Sequence, residues 1–258
     1  MENLQERVFE FNTKLEETMY DVLEKQEPQI LNAAHIVKRC TKRLGRIFVV
    51  GTGHSSSVAF EAFMRAGGLV NVVPLVPWFL TMIAGGVLSG ILEKQKGFGK
   101  FLFRAYEFIY RISRNDCMIF ISQSGCNAVT VEMAKLAQEA KVEVIVITSS
   151  QGASFDNELL RIEGVTAVDT GVPFGDTVVK IDGLDEETSI GPLSTMIGIY
   201  VWHVIMISAC EMLVEDGYKK LPVIISGNTR EETSERRNQK LILGYLRELL
   251  KQGLLVKI

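Results

Sequence analysis

The 258-residue sequence predicts an α/β protein: a three-layer αβα sandwich around a parallel sheet of about five strands, with a helical arm before it and helices after it. Three observations carry this. Five short runs rich in β-branched residues recur along the chain: RIFVV (46–50), LVNVVPL (69–75), CMIFI (117–121), VEVIVIT (142–148) and VTAVD (165–169). Most are separated by stretches of helical periodicity. Their apolar residues are continuous rather than alternating, as in parallel strands covered by helices on both faces.

The elements follow in order. Leu4, Val8, Phe11, Leu15, Met19, Val22 and Leu23 fall at intervals of three and four, one face of a helix. Pro28 is expected to open a second helix carrying Ile30, Ala33, Ala34, Val37 and Leu44, so residues 1–44 read as a helical arm and 45–258 as the domain with which it forms one unit. Gly45 suits a helix C-cap. After the fifth strand, VVKIDGLDEETSIGP (178–192) reads as a β-ribbon or an irregular loop. A long apolar helix over about 193–215, entered at Gly191-Pro192, and a charged helix over about 230–251 complete the chain.

Composition narrows the function. Apolar residues make up 47% of the chain, enough for a substantial core, and 28 Lys and Arg stand against 31 Asp and Glu with no basic block, so no nucleic-acid partner is expected. Cys40, Cys117, Cys126 and Cys210 form no C-x-x-C pair and have no histidine at ligand spacing, which argues against zinc and against a disulfide framework and suits a reducing cytoplasm. The N-terminus has neither the basic nor the apolar region of a signal peptide. Residues 66–92 and 190–210 carry no Asp, Glu, Lys or Arg and are long enough to span a bilayer. Prolines and glycines break the first into a short strand, a turn and a small helix, and the second reads as a buried core helix, so no membrane span is expected.

The chemistry lies in two turns. GTGHSSS (51–57) follows the first strand, SQSGCN (122–127) follows CMIFI, and each leads into a helix. In a parallel sheet, ligands collect at the carboxyl ends of the strands, where helix N-termini favour anions. Glycine permits close backbone approach, and serine hydroxyls with backbone amides satisfy phosphate oxygens without any arginine. The alternative makes Ser55 and Ser124 simple N-caps. A dinucleotide site fits worse, since Gly51 and Gly53 lack the third glycine of G-x-G-x-x-G, and GFGK (97–100) is no Walker loop.

GTGHS with SQSG resembles the sugar isomerase (SIS) domain, whose flavodoxin-like α/β sandwich binds phosphosugars. FMRAGGLVNVVPL, GVPFGDTVVKIDGL and GPLSTMIG resemble more closely one branch of it, the UPF0309 proteins, described as phosphosugar or phosphoheptose isomerases. The resemblance implies that Ser55 and its neighbour Ser56, with Ser122, Gln123 and Ser124, cradle a phosphate, and that Asn127 stands where many members have threonine. Ser194 and Thr195, just inside the long apolar helix, are further candidates for contact with the sugar, although capping explains them as well.

Catalysis carries over less directly. Phosphoheptose isomerases and muramic acid phosphate etherases have a glutamate ten residues after the first-turn serine, where this chain has Arg65; the carboxylate in that helix is Glu61. Moving a proton between neighbouring sugar carbons needs a base, and opening the ring needs an acid, so Glu61 and His54 are the catalytic candidates. Against this, Glu61 can pair with Arg65 at i, i+4, and His54 can be a turn residue bonding a backbone carbonyl. His203 reads as a core histidine and His35 as structural. In ETSERRNQK (232–240), Arg236 and Arg237 precede Asn238, where the branch has an acidic residue and a histidine. The expected function is an aldose–ketose phosphosugar isomerase, or a related etherase or lyase, without metal or organic cofactor, against a non-catalytic phosphosugar sensor. The apolar arm and the segment around Trp78, Phe79 and Leu80 suggest a homodimer or a dimer of dimers, with the pocket near the subunit interface.

Overall fold

Each of the five apolar runs is a strand. In the computed structural model, which describes residues 2–152, 156–184, 186–227 and 232–254, β1 (Ile47–Gly51), β2 (Val72–Pro74), β3 (Cys117–Ser122), β4 (Glu143–Thr148) and β5 (Thr166–Asp169) form one sheet in the order β2-β1-β3-β4-β5. Every pairing is parallel. The chain moves outward from β1 to β2, crosses back, and continues from β3 on the other side, so the order reverses between β1 and β3. That point is where ligands bind in sheets of this order.

Strand side chains alternate between two cores. Ile47, Val49, Ile119, Ile121, Ile145 and Ile147 pack with α1 (Glu2–Lys42), α2 (Ser56–Ala62) and α6 (Ser194–Glu215), while Phe48, Val50, Met118, Phe120, Val144 and Val146 pack with α4 (Phe98–Tyr110) and α5 (Ala128–Glu139). The result is a three-layer sandwich. Between β2 and α4 the chain makes two 3-10 turns and α3 (Gly86–Leu92). The stretch 178–192, open between ribbon and loop in the sequence, corresponds to the antiparallel ribbon of β6 (Thr177–Ile181) and β7 (Thr188–Pro192). α7 (Glu232–Lys251) is the last helix of the described residues; its expected start near Arg230 and the side chain of Leu4 lie outside them.

Three expectations are corrected. The arm is one 41-residue helix running through Pro28 rather than two. Pro28 and Glu24, whose carbonyl loses its amide partner, both lie on the exposed face of the helix, where a freed carbonyl can bond to solvent. Val22, Ile30, Ala33, Ala34 and Val37, buried in one core on both sides of the proline, hold the helix continuous. The helix ends at Lys42, so Leu44 lies past it instead of on its face and, in place of Gly45, is the residue that takes the left-handed cap conformation (φ 57°), with the Gly45 N–H closing on the Cys40 carbonyl at 2.9 Å. Of the apolar trio 78–80, Leu80 is buried in the α4/α5 core and Trp78 alone is well exposed.

Among the described residues, α6 is the one helix long and apolar enough to cross a membrane by length and composition. Ile197, Val201, Trp202, Ile205 and Ala209 on it are buried against α1 and the sheet. At the amino end of the sheet, the buried Arg46 guanidinium grips Asp116 with Nε at 3.0 Å and Nη2 at 2.9 Å, and its Nη1 donates to the Tyr110 carbonyl at 2.6 Å. This pair ties β1 to the approach to β3.

Candidate functional site: a serine-lined cleft at the strand reversal

Gly51 in β1 pairs with Ile121 in β3, so the two hydroxyl-rich turns leave the sheet side by side at its carboxyl edge. The first turn folds back at once. A Cβ on Gly51 would lie 2.4 Å from the Ser55 carbonyl oxygen, which is why only glycine ends this strand. Backbone amides of Ser55, Ser56, Ser57 and Val58 each bond the carbonyl three residues earlier, leading into α2. In the second turn, the buried Ser122 hydroxyl accepts from the Gly125 amide at 3.2 Å. Gly125 (φ 63°) sits where a side chain would strike Asn157, whose amide in turn donates to Thr148 Oγ1 at 2.7 Å and the Ser149 carbonyl at 2.9 Å. The loop after β4 thus frames the loop after β3.

Between the turns lies a cleft of about 370 Å3 lined by Thr52, Gly53, His54, Ser55, Met82, Gly86, Ser89, Gly90, Glu93, Ser122, Gln123, Ser124, Asn127, Asp176 and Ser194. Seven of the residues singled out in the sequence meet here: His54, Ser55, Ser122, Gln123, Ser124, Asn127 and Ser194. Ser55 occupies the N-cap position of α2 and Asn127 that of α5, yet neither side chain caps its helix. The hydroxyls of Ser55 and Ser124 and the side chain of Asn127 make no hydrogen bond among the described residues. Capping therefore does not account for them. Gln123 is committed elsewhere, its Nε2 donating to the Val172 carbonyl at 3.1 Å. The exposed His54 stands at the rim, and its ring bonds no backbone carbonyl among the described residues.

Three expected residues lie elsewhere. Ser56 is buried, and its hydroxyl donates to the Gly53 carbonyl at 2.7 Å, closing the turn from behind. Thr195 is one residue past the cleft wall and does not line it. Glu61 is outside the lining: its carboxylate pairs with Arg65 one turn on and lies 3.5 Å from His203 Nε2 on α6. Burial, and then the neighbouring Arg65 charge, hold the His203 pKa below its ordinary value. Arg65 neutralises Glu61, so the carboxylate does not reverse that direction.

Two carboxylates in the cleft escaped the sequence reading. Glu93 Oε2 accepts from the buried Thr52 hydroxyl at 2.6 Å, and the Glu93 carbonyl accepts from the Val129 amide in the first turn of α5 at 3.0 Å. Asp176, itself left-handed (φ 66°), accepts from the amides of Leu193 and Ser194 and, at 2.6 Å, from the Ser194 hydroxyl. It supplies the cap that α6 lacks in its own sequence and occupies that helix N-terminus. Glu93 is the first charge after the uncharged run 66–92, and Asp176 sits within GVPFGDT; those are the signals that point to them. Among the described residues, no group of three His, Cys, Asp or Glu side chains is placed to hold a metal ion.

Residues 10–149 match the SIS-domain family. Over 231 residues the chain is 32% identical to a UPF0309 protein of Listeria innocua, covering 87% of this chain and 90% of that one. Two solved phosphoheptose isomerases share the fold. The Neisseria gonorrhoeae enzyme superposes with a TM-score of 0.53 at 17% identity, covering 82% of this chain and 99% of its own, and the Francisella tularensis enzyme with 0.55 at 15%, covering 81% and 99%. With the strand order, the paired serine turns and this similarity over nearly its whole length, the chain belongs to the SIS-domain family, in its UPF0309 branch.

Proposed function

We propose that the protein binds a phosphorylated sugar in the serine-lined cleft and isomerises it between aldose and ketose forms. One observation carries the reading: three side chains able to bond phosphate oxygens, Ser55, Ser124 and Asn127, stand uncommitted at the strand reversal, beside the N-terminus of α5. Apart from His54, no lining residue can carry positive charge, so hydroxyls, amides and the helix dipole would hold the anion.

In this reading the phosphate rests between the two turns and the sugar carbons extend toward Glu93. Its Oε1 is free of hydrogen bonds among the described residues while Oε2 is fixed by Thr52, so the carboxylate is both oriented and available as the base that moves a proton between neighbouring carbons. His54 at the rim is placed to help open the ring. Glu61, the base expected from the sequence, is engaged by Arg65 and yields the role to Glu93. The four cysteines are free thiols, which suits work in a reducing cytoplasm. The exposed Trp78, Ile83, Val87 and Ile91, next to the cleft-lining Met82, Gly86 and Gly90, support a homodimer whose interface runs beside the pocket.

A second reading, a phosphosugar sensor without turnover, is favoured by Arg65, which stands where related isomerases have glutamate. A melting-temperature screen of sugar phosphates against their unphosphorylated forms tests the binding shared by both readings, since a ligand of the folded state raises the transition. Incubation in deuterated water then separates them. Label at C2 of the bound sugar supports the isomerase, whereas saturable binding without label supports the sensor.

A further inference from the structure

The carboxyl half of α6 turns an apolar face to solvent. Ile207 and Val214, two turns apart, are 52% and 54% exposed, and with Met206, Cys210, Leu221 and Val223 they line a groove of about 620 Å3. Glu211 and Glu215 stand exposed on the same groove. A helix at the surface of a single sandwich turns a polar face to water, whereas one that is apolar all round is covered. Ile207 is thirteen residues along α6 from Ser194 at the serine cleft, about 20 Å at the helical rise.

Leu221 also lines a second groove, of about 680 Å3, with Lys220 and with Arg236, Arg237, Lys240 and Leu241 of α7. Backbone and side-chain bonds fix the two grooves relative to each other. The Val70 amide donates to the Pro222 carbonyl and the Ile224 amide to the Gly68 carbonyl, each at 2.9 Å. Asn238 of α7 clamps Ile225, its Nδ2 donating to the carbonyl at 2.8 Å and its Oδ1 accepting from the amide at 3.0 Å. Glu211, Glu215, Lys220, Arg237 and Lys240 have no ion-pair partner among the described residues. An acidic helix face with two apolar knobs thus lies beside a groove lined by cations and leucines.

We propose that this surface is an interface with a second copy of the chain, related by a twofold axis near Leu221. The face of α6 from Ile207 to Glu215 enters the cationic groove of the partner, and its glutamates meet the lysines and arginine there. The symmetry makes the contact reciprocal: each copy gives a helix face and receives one, so both halves of the surface are answered at once. A foreign acidic helix would fill the groove and leave Ile207 and Val214 in water, and a polyanion would meet Glu211 and Glu215. The contact is separate from the homodimer face beside the serine cleft, with which it would build a dimer of dimers, and it does not rest on the reading of that cleft.

Light scattering on the full chain at micromolar concentration tests it by charge exchange. Glu211→Lys/Glu215→Lys sets like charges against the partner's groove, and Arg237→Glu/Lys240→Glu does the same from the other side; all four changes lie on exposed residues. Each variant alone should show half the wild-type mass, because like charges then face each other at both ends of the contact. An equimolar mixture of the two should recover the wild-type mass, since every reversed pair is again of opposite sign. A monomeric wild type would overturn the proposal, as would the wild-type mass retained by either variant. A mixture that stays at half mass would also overturn it, showing that the reversals do not act by pairing across a twofold axis.

Discussion

Removing the Ser124 hydroxyl separates binding from folding more cleanly than any other single change in the cleft. The hydroxyl makes no hydrogen bond among the described residues and the residue is half-buried, so Ser124→Ala orphans no partner and should leave the melting temperature of the free protein unchanged. If the hydroxyl donates to a phosphate oxygen, its loss forfeits a hydrogen bond to a charged group, about 1.5–3 kcal/mol. At about 1.4 kcal/mol per decade, that raises Kd roughly ten- to 150-fold. Calorimetric titration with the tightest sugar phosphate from the melting screen measures it. Ser122→Ala makes the contrast, because it strips the acceptor from the Gly125 amide and should lower both stability and affinity. Unchanged Kd in Ser124→Ala would refute the cradle. An equal loss for the unphosphorylated sugar would show that the hydroxyl meets the sugar ring and not the phosphate.

The other outcomes follow from the same geometry. Glu93→Gln keeps an acceptor for the Thr52 hydroxyl but removes the base, so deuterium incorporation at C2 should vanish while Kd changes less than about threefold; label retained in the variant would exonerate Glu93. Asp116→Ala leaves the buried Arg46 guanidinium without its counter-charge, a loss of about 3–5 kcal/mol in urea unfolding; a cost below about 1 kcal/mol would show that water reaches the guanidinium. The depressed His203 pKa makes the unfolded chain bind more protons than the folded one as pH falls through the ordinary value of 6.5. Stability should therefore be flat above that pH and decline below it, and His203→Gln should make the decline shallower; an identical decline in the variant would assign the effect to another group.

The sheet was legible because its physics is local: each strand is a short β-branched run, and burial on both faces leaves no alternation to blur it. The serine turns were legible for a related reason, since what places them side by side is the parallel register of β1 and β3. What the sequence hid depends on where the chain travels. Glu93 reaches Thr52 only because the segment after β2 folds back over the carboxyl edge, and Asp176 caps a helix that begins eighteen residues later. Glu61 looked available because its distance from Ser55 is readable along the chain, whereas the direction of its carboxylate is decided by Arg65 and His203. Pro28 looked like a boundary because propensity is a statement about isolated helices; burial of Ile30, Ala33 and Val37 beyond it outweighs one missing hydrogen bond.

A crystal structure of the protein soaked with the sugar phosphate that most raises its melting temperature tests the central claim most directly. Phosphate density within hydrogen-bond distance of Ser55, Ser124 and Asn127, with the sugar carbons turned toward Glu93, is the expected result. Phosphate density anywhere else, with the two turns empty, would contradict it.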